Sequence, residues 1–181
     1  FICDKPIIIR GSKITVETSP QLVGIAGANK GSAEISDSVI DSKDSGNGVN
    51  VFENIDVKNS VIKQNQGIVM VSGGGNGTIN IDDKSSITGI VYKVIGEKET
   101  ELIAYGKTIA NGIGVKEGRV FIIDENAVVT VPDGFSVEIM GGKLINNGIL
   151  KGTVNKTSGI IECNNHCLTD IVDNEDGTHI S

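Results

Sequence analysis

Tryptophan is absent, and aromatic residues make up only 3 % of the 181 residues. A globular core usually draws on large rings, whereas a narrow core filled by stacked Val, Ile and Leu does not need them. Histidine is nearly missing too, with His166 and His179 both in the last 16 residues. That placement excludes a Ser-His-Asp or Cys-His site in the body of the chain, and both are read as exposed terminal histidines. Arginine occurs only as Arg10 and Arg119, and the net charge is −7. Nucleic-acid binding requires clustered Lys and Arg to displace counterions. No such cluster exists, so no nucleic-acid partner is expected and the charge serves solubility. No apolar run reaches the length of a membrane-spanning helix, so no membrane insertion is expected. No signal peptide stands at the start. The chain begins at Phe1 without Met, so it is expected to be processed or truncated. Proline is scarce at 3 residues, but glycine numbers 24. Among so many Val and Ile, those glycines read as punctuation between strands.

The punctuation is periodic. Glycine followed by Ile, Val or Phe recurs at Gly24-Ile25, Gly48-Val49, Gly67-Ile68, Gly89-Ile90, Gly112-Ile113 and Gly134-Phe135, with an echo at Gly148-Ile149. The six main sites are spaced by 24, 19, 22, 23 and 22 residues. Such a period means one small unit stacked on itself. Ile35-Ser-Asp-Ser-Val39-Ile40 matches Val57-Lys-Asn-Ser-Val61-Ile62 at an offset of 22. Gly77-Thr-Ile79-Asn-Ile81-Asp82-Asp83 matches Gly118-Arg-Val120-Phe-Ile122-Ile-Asp124 at an offset of 41, about two units. Apolar and polar residues alternate within each unit, which is strand periodicity, and no segment carries helical spacing with a cap. Asn-Gly at 47–48, 76–77, 111–112 and 147–148 supplies sharp corners. The expected fold is all-β: a single domain over 1–181, a right-handed parallel β-helix of about seven or eight rungs. Residues 1–12 would form an N-terminal cap or first strand, and 160–181 a C-terminal cap or tail, because solenoid ends expose core and strand edges. A β-sandwich, with turns every 8–12 residues, is the main rival.

One segment departs from the repeat. Ile90-Val-Tyr-Lys-Val-Ile95 and Glu101-Leu-Ile-Ala-Tyr105 flank the charged tip Glu97-Lys98-Glu99-Thr100. A hairpin near 90–106 would place Tyr92 opposite Tyr105 and Val94 opposite Ile103. The alternative is an ordinary rung, whose length also fits. The two tyrosines, the only ones in the chain, are candidate ligand-binding residues. Paired rings can stack on a sugar face, or they can pack on the solenoid wall. An interruption of a solenoid also maps to loops on one face, often the binding face.

Few residues offer chemistry. Asp82-Asp83 and Asp124-Glu125 each follow a strand at matching repeat positions, and Asp37, Asp41 and Asp44 lie upstream. Carboxylates stacked at one corner could hold calcium, which takes six to eight oxygens; solvated turn residues are the plainer reading. Lyase chemistry through Asp82, Asp83 and Asp124 would want a basic residue beside them to abstract a proton, and Arg119 lies five residues before Asp124. Cys163-x3-Cys167 with His166 suits zinc, a local disulfide or free thiols; Cys3 is the third cysteine. Gly73-Gly-Gly-Asn-Gly77 is not a phosphate loop, since no Lys-Ser/Thr follows, and it does not fit the calcium-binding nonapeptide because Ile79 stands at the required Asp.

From Tyr105-Gly106, through Asp124-Glu-Asn-Ala-Val-Val-Thr-Val-Pro-Asp-Gly134 and Gly142-Lys-Leu-Ile-Asn-Asn-Gly148, to Lys151-Gly-Thr153, the chain resembles repetitive β-solenoid regions of Gram-positive bacterial cell-surface proteins. The resemblance implies an extracellular, cell-wall-associated location. Such regions are commonly modules of adhesins or glycan-handling proteins, so a glycan or a host or cell-wall surface is the implied partner. Pectate-lyase-like enzymes share the architecture, but no stretch matches their catalytic pattern. The expectation is therefore a non-catalytic structural or adhesive module with no required cofactor. A glycan-binding module, calcium-assisted or not, is the first alternative, and a polysaccharide lyase or hydrolase relative the second.

Overall fold

A computed structural model describes residues 2–3, 5–15, 25–27, 31–42, 49–72, 77–164, 170–173 and 179–180. Among them every regular element is a strand and there is no helix. The strands build a β-solenoid of about five turns, where the glycine recurrence suggested seven or eight.

The solenoid consists of two three-faced stacks. In the N-terminal stack, one face carries Ile2–Cys3, Ile25–Gly27, Val49–Val51 and the ends of Val61–Ser72 and Ser86–Val94, all parallel. A second face is the four-stranded sheet of Ile7–Arg10, Ala33–Ser36, Ile55–Lys58 and Ile79–Ile81. A third runs through Lys13–Thr15, Val39–Asp41 and the starts of the two long strands. Ile35 pairs with Val57 and Val39 with Val61, the offset of 22 read from the sequence. The alternation then acts as period two requires. Ala33, Ile35, Ile40, Val49, Val51, Ile55, Val57 and Ile62 point inward and are buried as one column. Each such burial stabilises by roughly 1.5–3 kcal/mol.

The C-terminal stack repeats the plan. Thr100–Tyr105, Arg119–Ile123 and the ends of Val137–Asn146 and Thr153–Cys163 form one face. Lys107–Ile109, Val128–Thr130 and Ile149–Lys151 form another. The last holds Ile113–Lys116, the starts of the two long strands, and Asp170–Asp173. Phe121, Leu144, Leu150, Ile123, Val129 and Ile139 fill a second, separate core. Asp170–Asp173 adds parallel to the start of Thr153–Cys163, and His179–Ile180 pairs antiparallel with it.

The two stacks meet at the hairpin and at a parallel pairing of Ile109 with Gln66. Ser86–Val94 pairs antiparallel with Thr100–Tyr105, so the expected insertion exists, but its register differs. Tyr92 faces Leu102, not Tyr105; Val94 faces Thr100, not Ile103; and Tyr105 faces Gly89. The shift follows from the neighbours. Ser86–Val94 must match Val61–Ser72 on one side, and Thr100–Tyr105 must match Arg119–Ile123 on the other. Those two parallel ladders fix the slide of the hairpin, and the tip residues Glu97, Lys98 and Glu99 stay exposed.

The recurring glycine also proves to be two devices. Gly112 and Gly134 have φ of +81° and +82°, where glycine avoids the Cβ clash. Gly148, expected to be a corner of the same kind, is not in that region; a Cβ there would run into the carbonyl oxygens of Asp124 and Ala127. Around Gly134 a Cβ would meet nothing within 4 Å. Gly148→Ala should therefore cost about 3 kcal/mol, since backbone cannot yield as a side chain can. Gly134→Ala should cost only the conformational strain, about 1 kcal/mol. Urea unfolding of both variants checks this; equal losses would refute the distinction.

Candidate functional site

The hairpin has two faces, and the tyrosines lie on opposite ones. Ile90 pairs with Ala104 and Tyr92 with Leu102, whereas Val91 pairs with Ile103 and Gly89 with Tyr105. Directly paired residues share a face and successive residues alternate. Ile90, Leu102 and Ala104 belong to the C-terminal core, and Tyr92 packs against it. Val91 belongs to the N-terminal core, against which Ile103 and Tyr105 pack. The expected side-by-side ring pair therefore does not form. Each ring closes a different core, which explains why both are half-buried. Burial foremost, then the negative charges of Asp124 and Glu101, push the Tyr105 phenol above its ordinary value.

The four candidate calcium ligands sit on two separate turns. Asp82 follows Ile79–Ile81 in the N-terminal stack, and Asp124 follows Arg119–Ile123 in the C-terminal one. Both turns close alike: the amide of Ser85 donates to the Asp82 carbonyl at 3.2 Å, and that of Ala127 to the Asp124 carbonyl at 2.9 Å. The Asp124 carboxylate accepts the Asn126 amide at 3.1 Å. The Asp82 carboxylate accepts the Ser85 hydroxyl and, at 3.1 Å, the Asn59 amide. The Ser85 bond leads the causes that hold its carboxyl below the usual range. Asp83 and Glu125 are exposed. Among the described residues no group of three or more His, Cys, Asp or Glu is placed to hold a metal ion.

Arg119, considered as a base beside Asp124, is turned elsewhere. Its guanidinium donates to the Gly114 carbonyl at 2.8 Å and to the Thr100 hydroxyl at 3.3 Å, tying three strands together. Cys163 is disulfide-bonded, and its Sγ lies 4.0 Å from the buried Asn146 amide nitrogen. Residues 165–169, with His166 and Cys167, lie outside the described residues, as does Asp44; of Cys3 and His179 only the backbone is described.

A polar ladder at one corner was not singled out from the sequence. The amide of Ser12 donates to the Ser38 hydroxyl, that of Ser38 to the Ser60 hydroxyl, and that of Ser60 to the Ser85 hydroxyl, each at 3.1 Å. Ser38 and Ser60 each donate back to the carbonyl two residues earlier at 2.7 Å. Beside them Asp37 and Asn59 take φ of 51° and 45°, the region Asp and Asn tolerate best among residues with a side chain. The Asn59 side chain donates to Asp37 at 2.7 Å. The signal was present in the aligned Asp37-Ser38 and Asn59-Ser60, one repeat apart.

No family model matches the chain, nor does any curated protein or solved structure match it.

Two measurements check this layout. Because Tyr92 and Tyr105 serve different cores, the stability losses of Tyr92→Ala and Tyr105→Ala should add within about 0.5 kcal/mol in a double-mutant cycle; a coupling well above that would mean that the rings touch. The Asp82 carboxyl is depressed in the folded state, so its contribution is present above the unfolded value near 3.8 and lost as pH falls through the lower folded one. In an NMR titration Ser85→Ala should raise the Asp82 midpoint, and an unmoved midpoint would discard the hydroxyl as its main cause.

Proposed function

We propose that this chain is a non-catalytic structural and adhesive β-solenoid module of a bacterial cell surface, working as a stiff spacer. The right-handed sense, a longer array of rungs and capped ends belong to the same reading. One observation carries it: polar groups along the outer side of the four-stranded sheet and at its next corner are engaged in bonds from rung to rung. Along the outer side of the four-stranded sheet, Ile8, Glu34, Asp56 and Asn80 line up in register. Within that row Glu34 pairs with Arg10 at 3.2 Å, and Asp56 accepts the Asn80 side chain at 2.7 Å. The next corner is held by the serine and Asp37-Asn59-Asp82 bonds. A disulfide at Cys163 supports an oxidising, extracellular setting.

The same row favours a second reading. Glu34 and Asp56, followed by Asp37 and Asp82 at the corner, make an acidic strip of the kind a glycan-binding module presents, with calcium as the bridge in this reading. A ligand there would have to displace existing partners. A glycan array with and without calcium separates the two. The spacer reading expects no specific signal in either condition. Calcium-dependent binding lost in Asp56→Asn would replace it with the glycan-binding one, and turnover of an acidic polysaccharide would replace both.

A further inference from the structure

The N-terminal stack ends unevenly at the hairpin. Its first face continues through Ser86–Val94 into Thr100–Tyr105, and so into the C-terminal stack. Its four-stranded sheet stops at Ile79–Ile81, which pairs with Ile55–Lys58 on one side and with no strand on the other among the described residues. The hydrogen bonds give the orientation of that edge. The Ile55 amide donates to the Thr78 carbonyl, and the Asp82 amide to the Val57 carbonyl. Thr78, Asn80 and Asp82 thus turn their peptide groups toward the sheet, and by alternation Ile79 and Ile81 turn theirs outward. The side chains agree. Ile55 and Val57 are 0 % and 1 % exposed, but their successors Ile79 and Ile81 are only half-buried. Ile103 and Tyr105 pack at the same end of this core from the first face, again half-buried.

The geometry points to a β-augmentation site at this step: an extended peptide segment of a partner protein adds to the outer edge of Ile79–Ile81 and supplies the rung that this face lacks. Its inward residues, at positions i and i+2, would be β-branched and aliphatic, continuing the columns Ala33–Ile55–Ile79 and Ile35–Val57–Ile81. They would cover Ile79, Ile81, Ile103 and Tyr105. Its outward residues would be basic. The row they extend ends Glu34, Asp56, Asn80, the adjoining turn holds Asp82 and Asp83 beside the single cation Lys84, and Asp124 and Glu101 act on the Tyr105 ring. A second copy of the chain does not fit. The first-face strands of its N-terminal stack would need the positions that Thr100–Tyr105 and Arg119–Ile123 already fill. The site is independent of the spacer reading.

The test uses a fluorescent Lys-Ile-Lys-Val-Lys peptide and the full chain, read by anisotropy. Saturable binding is expected, weaker at high salt. Ile81→Pro removes an outward N–H without touching the bonds to Ile55–Lys58, so it should weaken binding about tenfold or more. Ile8→Pro, placed on the opposite outer edge of the same sheet, should leave binding unchanged; circular dichroism confirms that both variants fold. A proline-interrupted peptide should not bind. Absence of saturable binding, equal binding by Ile81→Pro, or self-association of the chain abolished by Ile81→Pro would each overturn the assignment.

Discussion

The antiparallel contact between Ser86–Val94 and Thr100–Tyr105 governs the rest of this molecule. Among the described residues every other strand pair in the two stacks is parallel, apart from His179–Ile180 at the C-terminal end. At the hairpin the strand direction reverses while the sheet goes on growing along the same axis. The buried side changes with it, from the face of Val91 to the face of Leu102 and Phe121. Reversing both direction and inner face is a half-turn about the stack axis. Both stacks therefore wind with one hand, and the reversal breaks no rule of crossover chirality. It also gives one sheet two cores, one on each side.

That arrangement explains how so few large side chains suffice. Each rung adds short aliphatic residues to a column, and no single residue spans the core. Phe121, at 0 % exposure, is the largest fully buried side chain among the described residues. Where the columns turn, peptide groups that leave the ladder find side chains stacked at the same corner, as with Ser12, Ser38, Ser60 and Ser85. These bonds matter more than the surface ion pairs. Lys63 with Asp41 at 3.0 Å and Lys143 with Glu162 at 2.8 Å are partly exposed, and such pairs contribute about 0–1 kcal/mol.

The period, the strand alternation and the offset of 22 between Ile35 and Val57 were all readable from the chain, because local pattern and stacked register are the same thing in a solenoid. The phase was not. Ile25 and Val49 do stack, and so do Ile68 and Ile90. Past the hairpin Ile113 stacks on Val137 and Ile149 on Val128. One glycine recurrence thus crosses three different faces, so it does not count rungs as a single column would. The hairpin itself was legible from its two apolar arms and charged tip. Its register was not, because an isolated pairing rule sees only the two arms and not the ladders flanking them.

The site residues divide in the same way. That Tyr92 and Tyr105 lie in the interrupting segment was fixed by sequence, and so was the acidic character of the turns at Asp82 and Asp124. Only the tertiary structure decided that the rings belong to different cores, that the two acidic turns lie in different stacks, and that among the described residues the four-stranded sheet ends at Ile79–Ile81. The reason is physical. Alternation determines which residues share a side of one strand, but which core that side meets depends on the neighbouring strand's direction, and at the hairpin that direction is set by residues far away in the chain.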